Sequence, residues 1–271
     1  MIKKDTEGSF IKPVRPNRYA SVADGPLEFP SLELGKPFHF DRDMARRLIW
    51  REINPKEALS VKDSSGVFFR ASVKELSEQG GIAVPYEKFA SSPEPSVEIT
   101  LACAVLARQR MLFVAQKATE LGVLRIVPLL TEHSVPASGL DHEKAHAWPG
   151  QIIRAAKQCR RSSLPELCAP TTLEAFLSSP TFLQADLRIC LDDTASSPQV
   201  HKENPHRIVL FVGPEGGFSD SERALLKDKA QFWTFGGRIL RAETAVLAGL
   251  TAAQLLLGDF KNSLLMPVNP G

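Results

Sequence analysis

The sequence predicts an α/β protein with a parallel sheet in its C-terminal part and a small β-rich module in its N-terminal part. From residue 97 onward, nearly continuous apolar strand segments alternate with amphipathic helix segments. This alternation is typical of a parallel sheet that helices cover on both faces. Before residue 90, short strand-like segments are joined by a polar turn. The stretch 90–96 has two prolines among small and polar residues and is the predicted linker.

The N-terminal module comprises residues 1–90. Its predicted elements are an extended arm over 1–37, a short basic helix over 44–51, and strands over 59–62 and 67–73. Five prolines interrupt the arm, so it cannot form a continuous helix or a central strand. The polar stretch 63–66 ends in glycine and predicts the turn between the two strands.

The C-terminal part comprises residues 97–260. Its predicted strands cover 97–106, 125–130, 187–191 and 207–212. Its predicted helices cover 108–121, 148–161, 219–228 and 243–257. Gly122 stands where glycine favours the end of the first of these helices. Ser219 and Glu222 have the spacing of a capping box at the start of the third.

Composition and charge exclude several classes of protein. The chain of 271 residues is 43% apolar and 24% charged, which is ordinary globular composition rather than that of a disordered chain. The net charge is only +2, so any surface that binds an acidic partner must be local. No apolar run reaches the roughly 18 residues of a membrane span, and the N-terminus does not resemble a signal peptide. Four scattered cysteines without C-x-x-C spacing suit a reducing cytoplasm.

One motif has the spacing of a zinc site but the wrong context. His142 and His146 match H-E-x-x-H, in which two histidines bind zinc from one face of a helix. Pro149 follows closely, and a helix through both histidines could hardly continue across it. We therefore expect a polar loop that leads into a helix, with no bound metal.

Two glycine-bearing loops are the more informative motifs. The loop 213–219 follows an apolar strand and opens a helix, and glycine there lets a ligand approach the backbone closely. It lacks the G-K-[ST] signature of a phosphate-binding loop. The second loop, 235–244, also follows a short strand and opens a helix. A third segment, 154–163, is the basic end of a predicted helix. Its cations either complement the negative C-terminal end of the helix dipole or bind an anionic ligand.

These segments together resemble a known family. The segments that carry the resemblance are 117–123, 131–134, 158–161, 213–219 and 238–244, in this order. With them the chain resembles the RsmE family of bacterial 16S rRNA (uracil-N3)-methyltransferases, which belongs to the SPOUT superfamily. The resemblance is strong over 97–260 and loose over 38–90. The chain departs from the family pattern at Lys157, Arg160 and Ala242, where the family usually has Glu, a small residue and Thr.

The resemblance implies a C-terminal SPOUT domain with a trefoil knot, which is a rare exception to unknotted topology. It also implies a PUA-like β-barrel that binds RNA in the N-terminal part. The implied cofactor is S-adenosyl-L-methionine (SAM), held mainly by backbone groups of the glycine-bearing loops. The implied cofactor-binding residues are Thr131, Gly213, Pro214, Glu215, Gly216, Gly217, Phe235, Gly236, Ile239 and Leu240.

Methylation at N3 of uracil sets the requirements for catalysis. N3 becomes nucleophilic only as its proton leaves, and negative charge then spreads onto the flanking carbonyl oxygens, where an arginine would stabilise it. The predicted catalytic residues are Arg161 and Arg241 for this charge, and Glu215 as proton acceptor or substrate orienter. Methyl transfer needs no metal. A knotted RNA-binding protein without catalysis is the alternative, and the intact glycine loops argue against it.

The expected partner is 16S rRNA within the small ribosomal subunit. The residues expected to bind RNA are Arg15, Arg18, Arg46, Arg47, Arg51 and Arg160. The arginines of the basic helix could equally form a solvated helix face that binds no RNA. The helix 243–257 is apolar nearly all round and must be buried on more than one side, either in the core or against a second copy. The resemblance favours a homodimer.

Overall fold

The computed structural model describes residues 24–193 and 205–260. The predicted RNA-binding residues Arg15 and Arg18 lie outside these ranges. Within them, no helix combines the length and the apolar composition needed to cross a membrane.

The N-terminal part is a five-stranded sheet with one helix. Its strands are β1 (Glu28–Phe29), β2 (Phe38–Phe40), β3 (Ala58–Asp63), β4 (Phe68–Ser77) and β5 (Gly80–Lys88), and its helix is α1 (Arg42–Trp50). The strand order is β1-β3-β4-β5-β2, and every neighbouring pair is antiparallel except β1 and β3. Asp41 caps α1 by accepting a hydrogen bond from the amide of Met44, and the helix buries Ala45 and Leu48 against the sheet.

The sequence did not predict β5, which contains Pro85 and two glycines. Gly81 pairs with Phe40 and Leu76, and a side chain there would collide with the ring of Phe40 and the carbonyl oxygen of Glu75. This strand therefore requires glycine where the neighbouring strands approach it closely. Glycine has a low strand propensity, so the local sequence does not indicate a strand here.

The C-terminal part is built on a parallel sheet. Its strands are β6 (Glu98–Ala104), β7 (Arg125–Leu130), β8 (Glu166–Leu167), β9 (Thr171–Thr172), β10 (Leu187–Leu191), β11 (Arg207–Val212) and β12 (Gln231–Trp233). Its helices are α2 (Arg108–Glu120), α3 (Trp148–Gln158), α4 (Leu173–Leu177), α5 (Pro180–Leu183), α6 (Asp220–Lys227) and α7 (Ala242–Leu257). The order is β12-β10-β11-β6-β7-β8, with β9 also paired to β7, and all pairs are parallel.

Alternate residues of the central strands enter two separate cores, as the sequence predicts for a sheet covered on both faces. Ile208 and Leu210 of β11 pack in the core that contains α2, α3 and α7. Val209 and Phe211 pack in the opposite core, with α4, α5 and α6. The carboxyl ends of β10, β11 and β12 thus lie side by side at one edge, where open α/β sheets bind ligands.

Candidate functional site

A cavity of about 420 Å³ lies at the carboxyl ends of β10, β11 and β12. This volume is within the roughly 300–1,000 Å³ of small-molecule pockets. Its lining comes from the segments 191–193, 212–218, 233–235 and 238–242, with Arg223 and Ala245. The cavity therefore combines the ends of three strands with both glycine-bearing loops.

The loop 213–219 forms one wall and is shaped by its glycines. Gly217 has a φ of +72°, in the left-handed region that favours glycine. At Gly213 a side chain would press on the Phe218 ring and backbone, since a Cβ there would lie 3.2 Å from each. Ser219 and Glu222 form the predicted capping box, which starts α6 and holds the end of the loop.

A second loop, 131–134, packs behind this wall. The Nδ1 atom of His133 lies 3.1 Å from the carbonyl oxygen of Gly217. The amide of Glu132 donates a 2.9 Å hydrogen bond to Oε1 of Glu222. A Cβ on Gly216 would lie 3.1 Å from the Cβ of His133, so the two loops leave almost no room for a side chain at this position.

The loop 234–241 forms the opposite wall. Gly236 turns the chain with a φ of +92°. Arg241 stands in an extended conformation immediately before α7 and is exposed, as is Arg238. Ile239 is 84% exposed, an unusual state for a large apolar side chain at the rim of a cavity.

Most of the predicted cofactor residues line this cavity. Those that do are Gly213, Pro214, Glu215, Gly216, Gly217, Phe235, Ile239 and Leu240, together with the predicted catalytic residue Arg241. Gly236 and Thr131 are outside the lining. The Oγ1 atom of Thr131 is nevertheless buried without a hydrogen-bond partner among the described residues, and its loop supports the wall.

The structure corrects the catalytic prediction for Arg161. Its side chain is only 3% exposed and does not line the cavity. Its Nη1 donates to the carbonyl oxygens of Thr119 and Val123, at 3.2 and 2.8 Å. Its Nε and Nη2 donate to Oε2 of Glu94, at 3.3 and 3.2 Å. The guanidinium is thus bound by groups inside the protein and does not reach the cavity.

Glu94 of the linker is the centre of the junction that includes Arg161. Its carboxylate also accepts hydrogen bonds from the amides of Ser162 and Ser163, at 2.6 and 2.8 Å, and from the Ser163 hydroxyl. On the N-terminal side, Arg51 donates to the carbonyl oxygen of Ser162 at 2.5 Å. The segment after α3 is therefore a structural joint between the two sheets.

The predictions for the basic helix α1 need a similar correction. Arg51 is 4% exposed and pairs with Asp24, so it is not available to a phosphate. Burial lowers its pKa, and Asp24 opposes that shift. Arg47 also pairs with Asp24, at 2.7 Å. Arg46 is exposed with only a 3.7 Å contact to Asp43 on its own helix.

Arg160 remains accessible, in contrast to its neighbour. Its side chain is 55% exposed, with Nη1 3.3 Å from Oε1 of Glu87. Its φ of +65° turns the chain out of α3, so the residue is held in a left-handed conformation. Of the predicted RNA-binding residues within the described ranges, Arg46 and Arg160 are the two exposed ones.

An arginine that the sequence did not single out lies beside the cavity. Arg110, in the first turn of α2, forms an ion pair with Glu215, and both side chains are about two-fifths exposed. Its Nε also lies 3.9 Å from Oε1 of Glu243, in the first turn of α7. Because Arg110 is 105 residues from Glu215, no local pattern could reveal this contact.

Two more polar residues of the lining were missed. Asp192 follows β10 and pairs with Arg223 of α6 at 3.1 Å, with an Asp192 side chain only 6% exposed. Trp233 ends β12, and its Nε1 is buried without a partner among the described residues. An acidic residue immediately after a predicted strand was the available signal for Asp192.

The remaining motifs carry no site. His142 lies in a turn, a short 3₁₀ helix covers Ala145–Ala147, and α3 begins at Trp148, so the expected polar loop is confirmed. Among residues 24–193 and 205–260, no three His, Cys, Asp or Glu side chains are grouped as metal ligands would be. All four cysteines are free, and burial raises the pKa of Cys103 to about 12.

Comparisons with known proteins give a consistent result. Residues 92–254 match the RNA methyltransferase domain family. The chain is 31% identical over 206 residues to ribosomal RNA small subunit methyltransferase E of Synechocystis, which covers 74% of this chain and 67% of that protein. It is 32% identical to the protein of the same name from Mesomycoplasma hyopneumoniae, over 61% of this chain and 73% of that one.

Solved structures show the same similarity in three dimensions. Ribosomal RNA small subunit methyltransferase E of Neisseria gonorrhoeae, solved with SAM, has a TM-score of 0.62 and 28% identity, over 87% of this chain and 99% of that one. A Legionella pneumophila methyltransferase, also solved with SAM, has a TM-score of 0.63 and 28% identity, over 86% of this chain and 98% of that one.

Proposed function

Because the chain belongs to the ribosomal RNA small subunit methyltransferase E family, we propose that it methylates N3 of one uridine in 16S rRNA. It is a SAM-dependent ribosomal RNA methyltransferase. The structural observation that carries the methyl-transfer function is the pairing of the two glycine-bearing loops around one cavity, with Glu215 and Arg241 at its lining. The uridine assignment rests on the family.

The residues of the cavity fit SAM. The ligand needs apolar contacts for its adenine, partners for its hydroxyl, amino and carboxylate groups, and room beside the backbone. The lining offers the apolar Leu191 and Leu240, the carboxylate of Asp192, and the unpaired Nε1 donor of Trp233. Its glycines keep backbone groups accessible. When bound, SAM supplies an electrophilic methyl group on a sulfonium.

The protein's part in the reaction is to position the reactants and to stabilise charge. The glycine-bearing loops would hold the cofactor in the cavity. Arg241, exposed at the start of α7, can donate to the uracil carbonyl oxygens as N3 loses its proton. Its position at the lining supports the catalytic assignment, whereas the burial of Arg161 away from the cavity argues against a role for that residue in the reaction.

We extend the proposal to the architecture. The N-terminal arm and sheet, residues 1–90, serve as a PUA-like RNA-binding domain, and residues 97–260 form a SPOUT domain with a trefoil knot around the cofactor. Membership of the family supports the knot, and the convergence of three strand ends and two loops on one cavity supports the position of the cofactor. The exposed side chains of Arg46 and Arg160 support contacts with RNA phosphates.

We also propose a homodimer that acts on the small ribosomal subunit in the cytoplasm. One exposed apolar side chain supports a second copy at the cavity side, since Ile239 is 84% exposed at the rim. The four free cysteines suit a reducing compartment. Light scattering at micromolar concentration should give twice the mass of the 29.8 kDa chain, and a monomeric mass would contradict the dimer.

The function is tested by methyl transfer in vitro. The purified protein is incubated with SAM that carries a labelled methyl group and with small ribosomal subunits from cells that lack this methylation. The rRNA is then digested to nucleosides, and we expect the label in N3-methyluridine. Label in another nucleoside would contradict the N3 assignment, and SAM binding without any transfer would favour a non-catalytic RNA-binding protein.

A further inference from the structure

Arg110 is a charged side chain beside the cavity that the proposed reaction has not yet used. It lies in the first turn of α2, and Glu215 and Glu243 reach it from two other segments, the loop after β11 and the start of α7. Three elements that surround the cavity thus converge on one guanidinium. The Oε2 atom of Glu243 is buried and has no hydrogen-bond partner among the described residues, so its negative charge also favours a fixed cation here.

This guanidinium has donors left over. Arginine carries five N–H donors in a planar fork. The contacts with Glu215 and Glu243 involve Nη1 and Nε of Arg110, and no contact with a described residue involves Nη2. The side chain is 40% exposed, and its partner Glu215 lines the cavity, so Arg110 lies one side-chain contact away from the cofactor site. Its hydrogen bond with Glu215 raises the pKa of Arg110, which therefore stays charged at every pH used below.

The chemistry of the substrate requires such a donor. Uracil presents the carbonyl oxygens O2 and O4 on either side of N3–H. When N3 loses its proton, the negative charge is shared by these oxygens, and a fixed cation beside one of them stabilises the anion. The carboxylate of Glu215 could not accept that proton and stay in place, because the methyl group must approach N3 along the direction in which the proton leaves.

We propose that Arg110 is a catalytic residue, whose guanidinium donates to a carbonyl oxygen of the target uracil while Glu215 acts as a positioning residue that holds it. This inference rests on the proposed function. The proton of N3 passes to solvent water, and the lone pair left on N3 forms the bond to the methyl carbon. The methyl–sulfur bond breaks, and its electron pair stays on sulfur, which leaves as a neutral thioether.

Contact of Arg110 with O4 rather than O2 would also favour uracil over cytosine. Cytosine has an amino donor where uracil has O4, and its N3 carries no proton. A fixed arginine at the O4 position would oppose that amino group, whereas it pairs with the uracil oxygen. Arg110 would then combine base selection with stabilisation of the anion, held by Glu215 and Glu243.

The test compares Arg110→Gln, Arg110→Lys and the control Lys117→Gln, which removes a cation two turns further along α2 that pairs with Glu120. We measure kcat and KM for RNA at saturating SAM, and the Kd for SAM by calorimetry. Arg110→Gln should lose about a hundredfold in kcat with SAM affinity within about twofold. Arg110→Lys should recover part of the loss because it keeps a charged donor. Lys117→Gln should match the wild type.

The pH profile separates this role from a structural one. If Arg110 stabilises the uracil anion, the deficit of Arg110→Gln should shrink as pH rises toward the range in which the imide ionises without help. Small-subunit rRNA that contains 5-fluorouridine, whose N3–H is more acidic, should restore activity in the same way. A deficit that is unchanged by pH and by the fluorinated base would overturn the proposal.

Two other outcomes are also decisive. If Arg110→Gln weakens SAM binding more than about tenfold and leaves kcat unchanged, the arginine only holds the cofactor loop and the inference is wrong. If the wild type transfers no methyl group to uridine N3, the proposed function itself fails. A wild type that methylates N3 together with a fully active Arg110→Gln overturns the inference alone.

Discussion

Replacement of Arg161 by methionine should destabilise the protein without impairing methyl transfer. The substitution keeps a long unbranched side chain but leaves the carboxylate of Glu94 without its cation and removes the arginine donor from the carbonyl oxygens of Thr119 and Val123. Arg161 is 3% exposed and Glu94 is 14% exposed, so water cannot replace the lost contacts. Removing one partner of a buried ion pair costs about 3–5 kcal/mol.

The neighbouring Arg160 offers a matched control, because its side chain is 55% exposed and its pair with Glu87 lies at the surface. Arg160→Met should change stability by only about 0.5 kcal/mol. For a protein of this size, about 2–4 °C of melting temperature corresponds to each kcal/mol, so Arg161→Met should melt about 6–20 °C lower. Calorimetry of both variants measures the shift, with kcat determined well below either transition.

A loss of kcat without a loss of stability in Arg161→Met would contradict a structural role for Arg161. We expect Arg161→Met to retain kcat within about twofold of the wild type, since its guanidinium does not contact the cavity. A variant that melts like the wild type and loses about a hundredfold in kcat would show that Arg161 stabilises charge on the substrate.

Three further outcomes follow from the structure. Gly216→Val should abolish SAM binding in calorimetry while the protein still folds, because its Cβ would lie 3.1 Å from His133; SAM binding as in the wild type would contradict this contact. Arg46→Glu should weaken RNA binding and flatten its dependence on salt with SAM affinity unchanged, and an unaltered salt slope would exclude α1 from the interface. Burial raises the pKa of Glu57, but the hydrogen bond from Lys157 outweighs burial and holds this pKa below its usual value. The ionised Glu57 therefore stabilises the protein above about pH 4, and this stabilisation is lost as pH falls through the lowered pKa. Wild-type protein should therefore lose more stability on acidification than Glu57→Gln, and equal slopes in pH-dependent urea unfolding would rule this out.

The sequence predicts most of the C-terminal sheet because its strands are continuous apolar segments. The strands at 125–130, 187–191 and 207–212 have the predicted bounds. The N-terminal sheet was predicted only in part, since β5 depends on glycine at a close approach of another strand. Local propensity carries no information about such a long-range contact.

The site divides in the same way. The glycine-bearing loops are visible in the sequence because glycine marks unusual backbone geometry. The roles of the arginines cannot be predicted in this way, because the sequence around an arginine looks the same whether its side chain is buried in an ion pair or lies at a binding site. Arg161 is bound by Glu94, 67 residues away, and Arg110 meets Glu215 across 105 residues. Only the three-dimensional structure shows which of the two is available to a substrate.

The central claim is that this protein methylates N3 of a uridine in small-subunit rRNA. The most direct measurement is nucleoside mass spectrometry of that rRNA from a strain that lacks the protein, with and without the wild-type chain supplied in trans. We expect N3-methyluridine to be absent from the deletion strain and to return with the supplied chain. N3-methyluridine at the wild-type level in the deletion strain would contradict it.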